Sequence, residues 1–177
     1  MERKYAWHNY DDATMEKVYA LSDTYRQFLD NGKTERECVV QAVEFAEAKG
    51  YVNLNDIIKS NTSIKAGDKI YYTHMDKSIA LFNIGTDDIE LGMNILGAHI
   101  DSPRIDVKQN PQYEDSNLVF WDTHYYGGIK KYHWVAMPLA IHGVVVKTDG
   151  TRININIGDK ETDPVFCITD LLPHLGQ

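Results

Sequence analysis

The sequence predicts a mixed α/β fold, and three observations carry that prediction. Two apolar stripes at helical spacing occupy residues 11–49. The run Met93 to Ala98, interrupted only by Asn94, has the composition of a strand buried on both faces. Beyond about residue 110 the pattern is almost purely β, with alternating apolar positions between turn signals. The shift from a helical beginning to a β-rich end places a domain boundary near Asn110, dividing residues 1–109 from 110–177.

The first helix is expected over residues 11–30. Asp11 or Asp12 can cap its start, and Val18, Leu21, Tyr25, Phe28 and Leu29 form its core-facing stripe. Asn31-Gly32 ends it, because both residues tolerate the left-handed conformation of a helix stop. Thr34-Glu35-Arg36-Glu37 is a capping box that opens a second helix, with Val39, Val40, Val43 and Ala46 turned inward and a stop at Lys49-Gly50. Leu54 to Ile58 forms a short helical turn. Lys69–His74 and Ser78–Ile84 then make a hairpin around Met75-Asp76-Lys77. The acidic loop Gly85–Leu91 holds Asp87, Asp88 and Glu90 at a spacing that fits no calcium loop.

The buried strand follows and ends in His99-Ile100-Asp101-Ser102-Pro103. Arg104 to Lys108 alternates as an edge strand, and Asn110-Pro111 marks a break. Leu118–Tyr126 is a strand closed by Gly127-Gly128. Pro138–Lys147 and Arg152–Ile157 form a second hairpin about Thr148-Asp149-Gly150-Thr151. Thr169 to Leu175 opens an apolar helical start, after which a continuation is expected.

A net charge of −8 and a pI near 5.3, with no Lys or Arg run, argue against nucleic acid as a partner. No apolar stretch is long enough to span a bilayer, and the N-terminus carries no apolar secretory core. Cys38 and Cys167 stand in no metal-type spacing and read as reduced thiols of a cytoplasmic protein.

Few chemical constellations survive inspection. The chain has no glycine-rich phosphate loop, no His-Glu-x-x-His and no Gly-x-Ser-x-Gly elbow. Ser102 has no evident base beside it. What remains is His99-x-Asp101 at the carboxyl end of a strand, where open α/β sheets bind their ligands. Neutral imidazole is a common zinc ligand, and a nearby carboxylate can fix its tautomer and raise its basicity.

Gly97-Ala98-His99-Ile100-Asp101-Ser102-Pro103, with Lys108-x-Asn110-Pro111 after it, resembles the aspartyl-aminopeptidase-like family of di-zinc metallopeptidases. Ile64 to Lys69, Tyr126-Gly127-Gly128 with Trp134 and Leu139 to Val146, and Asp170 to Leu175 match further blocks of that family in order. The resemblance implies a zinc-peptidase-like α/β sandwich, of which this is the N-terminal part, with a β-rich inserted dimerisation domain. It implies removal of the N-terminal residue from peptide substrates within homo-oligomers, the dimer being the building block of a larger cage. By position, His99 would bind one of two zinc ions, and Asp101 would be its supporting catalytic carboxylate. Cobalt or manganese could replace zinc.

The departures are equally specific. The family's bridging aspartate, its Glu-Glu pair with the general base and its other ligands have no counterpart in this chain. A catalytic zinc usually needs three protein ligands, so the chain alone is expected to be inactive. Ile129 to His133 and Met137-Pro138 also depart from the family pattern, which leaves substrate preference open. Lys130 and Lys131 would suit acidic substrates but are more simply solvated lysines. His124, His133 and His142 are expected to be hydrogen-bonded or solvent-facing, not a metal set. Two alternatives stand beside the peptidase reading. One is a non-catalytic oligomerisation or interaction module derived from the family, and the other a small β-rich binding domain with His99 in its core.

Overall fold

The computed structural model describes residues 5–169 and 174 and divides into two compact units, Met1–Ile100 and Asp101–Gln177. In the first unit, helix α1 spans Asp12–Asn31 and helix α2 spans Glu35–Ala48. Asp11 caps α1 by accepting from the Thr14 amide at 2.9 Å. The capping box of α2 is complete: the Glu37 amide donates to Thr34 Oγ1, and the Thr34 amide donates to Glu37 Oε2. These side chains satisfy amides that the first helical turn leaves without intrahelical partners.

The expected left-handed stop at Asn31-Gly32 is not what ends α1. Gly32 has φ −115°, so its value lies in space and not in handedness. A Cβ there would stand 2.8 Å from Cys38 Sγ and 3.0 Å from the Phe28 carbonyl oxygen. The missing side chain allows the start of α2 to fold back closely on the end of α1.

A two-residue strand β1 (Val52–Asn53) leads into helix α3 (Leu54–Ser60), capped by Asn53. Strands β2 (Lys69–His74) and β3 (Ser78–Asn83) form the expected hairpin. Its turn places Met75 and Asp76 at positive φ, and Arg36 Nη1 donates to the Met75 carbonyl at 2.9 Å. The sheet order is β1-β2-β3, with β1 parallel to β2 and β3 antiparallel. The core of this unit is small: Cys38, Val39 and Ala46 of α2 with Ile70 and Tyr71 of β2.

Three further sequence expectations fail in this unit. The α1 stripe is not core-facing, since Leu21 is 71% exposed and only Val18 and Phe28 of the five are half-buried. Val40 of α2 is likewise exposed, because the buried arc runs through Val39 and Ala46 instead. More consequential is Met93–Ala98, which is neither a strand nor buried. A strand apolar on both faces needs neighbours along both edges and layers over both faces. No described strand pairs with this run, and Leu96 is fully exposed.

The second unit contains two antiparallel pairs. Strand β4 (Arg104–Asp115) pairs with β5 (Leu118–Tyr126), and β6 (Ile141–Val146) pairs with β7 (Arg152–Ile157). Asn110-Pro111 does not break β4. The register instead slips between Val107 and Gln112, so residues 108–111 face Asp122 alone. A bulge of this kind takes in a proline, which has no amide to donate. The boundary expected at 109/110 therefore falls inside a continuous strand, whereas the compact units divide between Ile100 and Asp101. Bridges Val135–Ile168 and Leu139–Phe166 tie the last described segment to this unit, and Phe166 packs against Trp121. The helical start expected over 169–175 falls at residues 170–173 and 175, outside the described residues. Among the described residues, no helix is long and apolar enough to cross a membrane.

Candidate metal-site residues

His99 is exposed and belongs to no helix or strand. It closes the apolar run of the first unit. Asp101 begins the second unit, is half-buried, and has a defined partner: Tyr126 Oη donates to Asp101 Oδ2 at 2.7 Å. Strand pairing explains that reach. Arg104 and Tyr126 are opposite each other in the β4–β5 register, which brings the last residue of β5 back to the chain entering β4. The Arg104 guanidinium lies 4.2 Å from the centroid of the Tyr126 ring, and Arg104 Nε donates to Asp106 Oδ1 at 2.7 Å. A cation held over an aromatic face by a carboxylate restrains the ring and, through it, the phenol. Gly127 follows at φ 73° and passes beside Pro103, a backbone turn that glycine adopts without strain.

The remaining histidines do not converge. His124 on β5 stands opposite Asp106 of β4, and His133 packs edge-on against Tyr132. His142 on β6 pairs with Asp159 at 3.1 Å, and Asn156 Nδ2 donates to the other oxygen of that carboxylate. His142 thus has the hydrogen-bonded role expected of it. Cys38 is buried, and that burial, reinforced by Glu37 and Glu35, pushes its thiol up from the ordinary range. A raised thiol is a poor metal ligand, so Cys38 serves packing.

Among the described residues no group of three or more His, Cys, Asp or Glu side chains could hold a metal ion. A catalytic zinc site usually takes three protein ligands. His99 and Asp101 do not meet that requirement, so the described residues do not compose a zinc site by themselves.

The family model for aminopeptidase I zinc metalloproteases (M18) matches residues 28–177. The chain belongs to the M18 family. The probable M18 family aminopeptidase 1 of Clostridium acetobutylicum is 52% identical over 99% of this chain and 38% of its own length. Its counterpart from Thermotoga maritima is 47% identical over the whole chain and again 38% of its own length. Crystal structures agree. The M18 aminopeptidase of Thermotoga maritima superposes with a TM-score of 0.88 at 46% identity, covering 100% of this chain and 38% of that one. Aminopeptidase I of Clostridium acetobutylicum gives 0.83 at 51% identity, covering 99% and 38%. The chain therefore spans about 38% of the length of the curated M18 relatives it matches.

Sequence reasoning singled out His99 and Asp101 but missed Tyr126 and Arg104 as partners of the latter. Tyr126-Gly127-Gly128 stood out as a family block, yet nothing in a linear reading connects it to a carboxylate 25 residues earlier. The signal that could have made the connection is the β4–β5 register, which depends on an unread hairpin turn.

Proposed function

We propose that this chain is the N-terminal portion of a zinc-dependent aminopeptidase that removes the N-terminal residue of peptides. The observation that carries the reading is the M18 match across residues 28–177, which includes His99-x-Asp101. In this reading His99 contributes one zinc ligand, and Asp101 is the carboxylate that orients its ring. Hydrolysis belongs to an assembly that adds the remaining ligands and a general base. The β-rich unit that follows is, in the same reading, part of an inserted dimerisation domain, and the complete protein is a cytoplasmic homo-oligomer.

The purified chain should release no p-nitroaniline from amino-acid p-nitroanilides when zinc or cobalt is added. In a complete enzyme containing this chain, His99→Ala should remove bound zinc, measured by elemental analysis, together with hydrolysis. Hydrolysis by the chain alone, or full zinc content without His99, would refute the assignment. A second reading starts from the same family membership. It is a non-catalytic assembly module of M18 origin, and it predicts that His99→Ala changes neither metal content nor activity of the assembled protein.

A further inference from the structure

We propose that the corner between α1 and α2 positions His99, with Cys38 as the positioning residue that holds the neighbouring Ile100 carbonyl. This role of Cys38 rests on the hydrolytic reading above, in which His99 acts.

His99 stands on backbone without regular structure. Residues 92–103 belong to no helix or strand, so no described ladder fixes the chain on either side of the imidazole. Burial begins one residue later: His99 is exposed, whereas Ile100 is half-buried. The Ile100 carbonyl oxygen lies 3.8 Å from Cys38 Sγ, and the same sulfur lies 3.6 Å from the Gly32 carbonyl oxygen. Thiol hydrogen bonds are long and individually weak, so what these two contacts supply is placement.

The sulfur is a fixed point for three reasons. Cys38 is 5% exposed. Its amide donates to the Thr34 carbonyl at 3.0 Å, in the turn that the capping box of α2 closes. Gly32 contributes through its missing side chain, since a Cβ there would stand 2.8 Å from Sγ. The thiol also keeps its hydrogen, because burial first, and then the charges of Glu37 and Glu35, oppose its ionisation. One S–H hydrogen is shared between two carbonyls, and it joins the end of α1 and the start of α2 to the residue that follows His99. An exposed imidazole swings with the backbone that carries it. Displacing a reacting group by about 1 Å can cost about 100-fold in rate, so a hold one residue away has chemical weight.

The test first compares the carbon-13 and nitrogen-15 spectra of this chain and its variants. Cys38→Ala should shift the Ile100 carbonyl resonance and speed amide exchange at His99 and Ile100 by ~10-fold, with the signals of the β2–β3 hairpin unmoved. Cys38→Ser keeps a donor and should recover most of the wild-type spectrum at those residues. Val39→Ala, at a residue of the same helix that is 3% exposed, is the packing control. It should lower stability and leave the His99 and Ile100 signals in place. In a complete M18 enzyme containing this chain, Cys38→Ala should then lower kcat ~10-fold at unchanged KM, with serine restoring most of the loss. Alanine spectra that match wild type at His99 and Ile100 overturn the proposal. So do a serine variant no better than alanine, an equal disturbance from Val39→Ala, or an unchanged kcat in an enzyme whose spectra move. Shifted spectra in a chain whose complete protein hydrolyses nothing uphold the hold on Ile100 and remove the hydrolytic reading. Hydrolysis that Cys38→Ala leaves intact, with wild-type spectra, does the reverse.

Discussion

Tyr126 donates its phenolic hydrogen to the Asp101 carboxylate at 2.7 Å, joining the end of one strand to the residue two positions beyond His99. The bond links two blocks of sequence that carry the M18 resemblance separately. It restrains Asp101 from the β-rich unit, through a ring that Arg104 covers at 4.2 Å and Asp106 steadies through Arg104. Under the proposed function, Tyr126 is a positioning residue that acts through Asp101.

Tyr126→Phe keeps the ring under Arg104 and deletes only the donor. It should lower the stability of the second unit by about 1 kcal/mol, the usual net value of one hydrogen bond near the surface. In a double-mutant cycle with Asp101→Ala, which leaves no acceptor, most of that loss should disappear once either partner is already changed. Additive losses in urea unfolding would mean that the pair does not interact in solution.

Gly32 gives a stability prediction in the first unit. Gly32→Ala places a methyl group 2.8 Å from Cys38 Sγ, 2.9 Å from Gln41 Nε2 and 3.0 Å from the Phe28 carbonyl. The glutamine can move, but the buried cysteine and the helix backbone cannot do so freely. Overpacking of this kind should cost about 1–3 kcal/mol in chemical denaturation. Cys38→Ala in the same background should recover part of the loss, because it removes the nearest obstacle.

Much of the fold was legible because its signals are local. The capping box at Thr34, the β2–β3 hairpin and the β6–β7 hairpin each depend on residues a few positions apart. The α1 stripe and Met93–Ala98 were misread because an apolar pattern states what a segment can bury, not what is present to cover it. Asn110-Pro111 misled because a bulge and a strand end share the same residues. The turn at Ser116-Asn117 went unread although both residues take positive φ, which suits asparagine better than serine. Missing that turn hid the β4–β5 register and with it the approach of Tyr126 to Asp101. The His99-x-Asp101 motif itself was plain, since chain order alone places its residues together.

Tyr71 predicts a loss of stability at high pH. Its hydroxyl donates to Glu47 Oε1 at 2.7 Å, and that bond, followed by burial, holds the phenol above its ordinary range near 10. The neutral phenol is the form that the folded state favours. The contribution is therefore fully present below the unfolded value near 10 and is lost as pH rises through the folded value above it. Unfolding free energy should fall from about pH 10 upward, and Tyr71→Phe should flatten that fall. Among the 11 tyrosines, Tyr71 should ionise late in an ultraviolet titration. An unchanged alkaline slope in the variant would discard the assignment.

Ala136 offers a substitution expected to stabilise. Its φ of 57° lies in the left-handed region, where a Cβ meets the carbonyl oxygen that follows. The conformation is held from outside: the Ala136 amide donates to the Ile168 carbonyl at 2.7 Å, and Val135 bridges to Ile168 beside it. Ala136→Gly removes a penalty of about 1–2 kcal/mol but adds about 0.5–1 kcal/mol of chain entropy to the unfolded state. The balance favours glycine by about 0–1.5 kcal/mol. A Tm rise of a few degrees, with unchanged exchange at the Ala136–Ile168 hydrogen bond, is the expected result. A lower Tm would mean that the Ala136 methyl group makes contacts worth more than the strain it imposes.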